Sequence, residues 1–91
     1  GLPVGVRSDT ITAVDLATRQ TGNLLRAARR RAGLTLRSAA EKAGTSHATV
    51  AAYEAGRKSP TLPTLFRILG AYGFAAEIVL SPRIRQISVG R

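Results

Sequence analysis

The sequence predicts a mainly α-helical domain, a bundle of four to five short helices followed by one C-terminal β-strand, and three observations carry that reading. A chain of 91 residues with 44% hydrophobic content suits one small core. Glycines at 33, 44, 56 and 70/73 each follow an alanine- or leucine-rich run of helical length, and glycine in that place is a helix stop. After Gly73 the run Ala75 to Leu80 turns to apolar and β-branched residues and stops at Ser81–Pro82, as a strand would.

Residues 1–20 read as a flexible or accessory lead-in, with Pro3, two early glycines and a stretch from Ile11 to Gln20 that fits a short helix or an extended arm. The chain opens on Gly1 and contains no methionine, which fits a processed or recombinant form and leaves the native start open. Residues 21–73 form the helical domain. Thr21, Thr35, Ser46 and Thr61 stand before its four runs, where a hydroxyl accepts the first unpaired backbone N–H groups, giving helices near 22–32, 36–43, 47–55 and 62–72. Residues 74–91 are the strand and tail.

Helical spacing sorts the faces. Leu25, Ala28, Arg29 and Ala32 make one stripe, and Leu36, Ala39, Ala40 and Ala43 repeat it on the second helix. Val50 and Tyr53 point inward on the third, and Leu62, Leu65, Ile68, Leu69 and Tyr72 on the fourth. Arg29 is out of place among apolar residues, and an unpaired guanidinium there costs several kcal/mol. Glu54 shares the inward side of the third helix with Val50, so Arg29 is paired with Glu54; the alternative is an Arg29 that snorkels to solvent.

Fourteen Lys+Arg against five Asp+Glu give a net charge of +9, so a polyanionic partner is expected. The excess sits at residues 22–35 and 57–70, on either side of a neutral middle. With no cysteine and His47 alone, neither a metal site nor a cofactor is expected, and an enzyme is rejected for want of residues. Ser46 and His47 are no nucleophile and base, because neighbours on a helix diverge by about 100°. The best apolar run, Gly73 to Leu80, is too short for a membrane span and is cut by Glu77.

The run LTLRSAAEKAGTSHATVAAYEAGRKSP, residues 34–60, places Ala40 four residues before Gly44 and Val50 six after it. A small residue for the crossing, a positive φ at the bend and an apolar anchor beyond it are the parts of a helix-turn-helix.

LRAARRRAGLT (25–35), the Ala40/Gly44 pair, TSHATVAAYEAGRKSP (45–60) and TLPTLFRIL (61–69) resemble, in order and spacing, the lambda-repressor-like family of Xre-type regulators. The resemblance covers roughly residues 21–80. It implies a lambda-repressor-like bundle, an ion pair at Arg29 and Glu54, and binding of double-stranded DNA by a two-fold dimer with the third helix in the major groove. On that helix the exposed face is expected to carry His47, Ala48, Ala51, Ala52 and Ala55, with base hydrogen bonds from Ser46, His47 and Thr49 and apolar contact from the alanines. Arg57 and Lys58, in the loop closed by Pro60, would meet DNA phosphates. Many relatives carry glutamine where Leu36 stands, for a phosphate contact that leucine cannot make, and Arg37 is the nearest replacement.

A lone strand must pair, with the lead-in segment or with a second copy of the chain, and the second copy is preferred. Ala76, Ile78 and Leu80 would then line a homodimer contact, and the DNA site would be palindromic. The helical domain followed by Gly-Phe-x-x-Glu-Ile-x-Leu is also similar to HipB-like antitoxins, which implies a toxin partner, with residues 1–20 and 82–91 as partner-binding tails. The sequence thus points to a dimeric, DNA-binding transcriptional repressor in the cytoplasm, at the nucleoid, and to an antitoxin role. The competing reading is a protein-interaction module with incidental DNA contact.

Overall fold

The computed structural model describes the backbone of residues 2–82 and the side chains of residues 15–82. The described chain is mainly helical, with α1 (Leu2–Arg31), α2 (Leu36–Ala43), α3 (His47–Glu54) and α4 (Leu62–Ala71). The last three match the expected helices to within a residue at each end. Their starts are set by the hydroxyls: Thr35 Oγ1 accepts from the Ser38 N–H, Ser46 from Thr49 and Thr61 from Thr64. At α2 the cap is reciprocal, because the Thr35 N–H also donates to Ser38 Oγ at 2.9 Å.

α1 departs from expectation by starting at Leu2, so the boundary placed between residues 20 and 21 falls inside one helix of 30 residues. Thr21 is therefore no cap, and its hydroxyl donates to the Ala17 carbonyl one turn back at 2.9 Å. A helix of this length spans about 45 Å, and it sets the long axis of a molecule measuring 52 × 28 × 20 Å. Among the described residues no helix is long and apolar enough to cross a membrane.

The core is aliphatic and lies where α1, α2 and α4 meet: Leu25, Ala28, Ala39, Ala43, Ile68, Leu69 and Tyr72 form one buried cluster. Leu34, Tyr53, Leu65 and Phe74 pack on it from the sides. Leu62, expected inside, is 52% exposed, because it opens the first turn of α4 on the side away from the cluster. Gly70, expected as a stop, is the penultimate residue of α4, and the chain turns at Gly73, whose φ is 100°.

No strand occurs among the described residues, so the expectation for Ala75 to Leu80 is corrected. A strand is held by a ladder to a neighbour, and the lead-in that was the intrachain candidate belongs to α1, where backbone groups bond within the helix. Residues 74–82 are instead irregular, and Phe74 to Glu77 lie opposite Leu24, Ala27, Ala28 and Arg31 of α1. Phe74 and Ala76 reach the core, and the Arg31 guanidinium lies 5.5 Å from the Phe74 ring centroid. Ile78, Val79 and Leu80 point away, at 58%, 74% and 88% exposure. The tail proposed for residues 82–91 lies, past Pro82, outside the described residues.

Candidate nucleic-acid interface

The site begins at the bend between α2 and α3. Gly44 takes φ 69° and ψ 35°, a left-handed conformation that costs a side-chain-bearing residue about 1–3 kcal/mol. Its N–H reaches the Glu41 carbonyl at 3.2 Å and the Thr45 N–H reaches Ala40 at 3.0 Å, closing the helix end. The Arg67 guanidinium, from α4, donates to the Ala43 carbonyl and covers the same end from outside. Ala40 and Val50 are both buried, at 3% and 1%, so the crossing has the small residue and the anchor that the spacing called for.

The far end of α3 is fixed to α1. Arg29 Nε lies 2.7 Å from Glu54 Oε2 and its terminal nitrogen 3.0 Å from Oε1, a two-point pair. The remaining arm donates to the Leu34 carbonyl at 2.9 Å. The hydrogen bond to Glu54 raises the Arg29 pKa above its ordinary value, against the opposing pull of burial, so the guanidinium is held firmly charged. Arg26 approaches as well, 3.6 Å from Glu54 Oε1 and 3.3 Å from the Glu54 carbonyl. Gly22 sits on the inward stripe of α1, where a Cβ would stand 2.5 Å from the Tyr53 carbonyl oxygen and 2.8 Å from that of Glu54. The helices cross there backbone to backbone.

Arg26, Arg67 and Gly22 were not singled out from the sequence. For Gly22 a signal exists: it precedes Leu25 and Arg29 by three and seven residues, on the same stripe, and glycine facing inward in a helix marks a close approach. Arg67 has no comparable signal, because its role depends on the relative placement of α2 and α4.

The outward strip of α3 carries His47, Ala48 and Ala55, exposed, and Ala51, half-buried. Ala52 does not belong to it: at 9% exposure it lies beneath the following loop, whose Arg57 N–H donates to the Ala52 carbonyl at 3.0 Å. Ser46 is largely committed to its cap, since the Thr49 N–H donates to its oxygen at 3.1 Å and its own hydroxyl donates to Thr49 Oγ1 at 2.8 Å. The Thr49 hydroxyl keeps a free proton, so donor capacity at the head of α3 shifts to Thr49 and His47.

The cations singled out by the sequence for phosphate contact are open to solvent. Arg57 and Lys58 are exposed, with the Lys58 ammonium 5.9 Å from the Tyr53 ring centroid. Arg37 is exposed in the first turn of α2, and Leu36 beside it is half-buried. In the tail, Ala76 is half-buried against the core while Ile78 and Leu80 are exposed.

Comparison with curated proteins and with solved structures gives no match. Residues 20–79 match the family described as a helix-turn-helix domain. The match covers most of the chain and runs from the inner half of α1 through the bend to the exposed tail, so the protein belongs to the helix-turn-helix domain family.

Proposed function

We propose that the protein is a sequence-specific regulator that binds double-stranded DNA through α3, acting as a dimeric repressor of the Xre type. The observation that carries this reading is the strip His47, Ala48, Ala51 and Ala55, uncovered among the described residues and bearing no side chain larger than imidazole. A narrow rod with small side chains sits deep in a major groove. Direct readout then rests on His47, Thr49 and the Ser46 lone pairs, with thymine methyls against the alanines; Ala52 is left out of the contact. Arg37, Arg57 and Lys58 hold phosphates. The net charge of +9 supports a polyanionic partner in the cytoplasm, at the nucleoid. No catalytic role is proposed for any residue.

Dimerisation is proposed through the exposed tail. Ile78, Val79 and Leu80 leave an apolar, β-prone edge in solvent, and pairing with the same segment of a second copy would complete its backbone bonds and fix the separation of two reading helices on a palindrome. The same edge favours one other occupant, a toxin, which would make the protein an antitoxin and is the form in which the protein-interaction reading survives. A mobility-shift titration with a palindrome upstream of the protein's own gene tests the main reading. Binding that weakens steeply with salt and is lost on substituting Arg57 and Lys58 supports it; affinity equal to that for random duplex refutes it.

A further inference from the structure

We infer that α1 carries a second set of contacts to the duplex backbone, centred on Arg19, an inference that rests on the DNA-binding reading above. An open cleft of about 450 Å³ separates α1 from the loop after α3 and is lined by Asp15, Thr18, Arg19, Arg57, Lys58 and Ser59. Three cations from distant parts of the sequence converge there with two hydroxyls and one carboxylate. Among the described residues the ion pairs fall on Arg26, Arg29 and Glu54, and none engages Arg19, Arg57 or Lys58. Three such groups around one cleft, with Asp15 alone opposing them, leave a positive field that a phosphate neutralises and that the hydroxyls can hydrogen-bond.

The cleft does not stand alone. Arg19, Arg26 and Arg30 follow one another at intervals of seven and four, so they lie along one face of α1. Arg26 on that face touches the last carbonyl of α3, which joins the row to the end of the reading helix. A row of cations leading from the reading helix to a basic cleft matches a polymer of phosphates rather than a single small anion. Duplex DNA is therefore the partner, with a backbone phosphate seated between Arg19 of α1 on one side of the cleft and Arg57 and Lys58 on the other.

The test measures duplex binding by fluorescence anisotropy between 50 and 200 mM salt, for the full chain and the variants Arg19→Gln, Arg19→Lys, Asp15→Asn and Arg57→Gln. Losing one phosphate contact lowers the slope of log affinity against log salt by about 0.9, which is roughly a threefold smaller loss of affinity over that range. Arg19→Gln should show this loss of slope at an unchanged melting temperature, Arg19→Lys should keep the wild-type slope, and Asp15→Asn should bind more tightly. A wild-type slope for Arg19→Gln beside a shallower one for Arg57→Gln overturns this inference alone. Absence of duplex binding by the unsubstituted chain overturns the DNA-binding reading with it.

Discussion

Glu54 serves two arginines while only 4% of its side chain reaches solvent, and the consequences of removing it are set by what each arginine has left. Arg26 is open to water, but Arg29 keeps only the Leu34 carbonyl. Glu54→Ala is expected to destabilise the fold by about 3 kcal/mol, the lower part of the range for stranding a buried partner, read as a drop in the urea midpoint. Tyr72 behaves in the opposite way. Its hydroxyl is buried with no hydrogen-bond partner, and burial, with the Glu54 charge adding to it, raises its pKa above the ordinary tyrosine value. The folded state therefore holds the phenol proton more tightly than the unfolded state. The stability this gives is complete below the ordinary range near pH ~10 and is lost as pH rises through the folded-state value. Tyr72→Phe is expected to leave stability at pH 7 unchanged or higher by up to about 1 kcal/mol, and to flatten the alkaline fall in melting temperature. The Arg29–Glu54 pair was legible in the sequence because a cation on an apolar stripe demands a carboxylate, and helical phase left one well placed. The part played by Arg26 was not, because an exposed arginine states no partner.

At the level of elements, the caps and stops read true where a hydroxyl or glycine sits at a real chain reversal, as at Thr35, Gly44 and Ser46. The hydroxyl of Thr21 misled, because that residue lies inside α1. Thr21 bonds back along its own helix, and Gly22 is needed for lack of a side chain. Gly22→Ala is the discriminating substitution. Helix propensity alone favours alanine by about 1 kcal/mol, whereas overpacking costs about 1–3 kcal/mol, and here the obstacle is backbone carbonyl oxygen that cannot swing aside. A net loss of stability is expected, measured by thermal melting, while the same change at exposed Gly70, where a Cβ meets nothing within 4 Å, should raise it. The strand failed as an expectation for a different reason. The sequence of Ala75 to Leu80 reports a surface suited to a sheet, and a sheet also requires a neighbour, which none of the described residues supplies.

For the whole molecule, the charge pattern was legible as two basic stretches around a neutral centre, but only the fold shows that Arg57 and Lys58 of the second stretch meet Arg19, which lies outside the first, across a cleft after α3. Assembly lies beyond that. Removing residues 74–91 is expected to give a monomer by sedimentation while the helical content of the bundle persists, because only Phe74 and Ala76 of the described tail pack against the core. Dimers that survive the truncation would refute the proposed tail contact. The bidentate clamp at Arg29 has a kinetic consequence as well. One side chain ties α1, the turn at Leu34 and the end of α3 together, so α3 has no route to fray at that end by itself. Amide protons in α3 should then exchange with deuterium only through opening of the entire bundle, at the same rate as those in the inner half of α1.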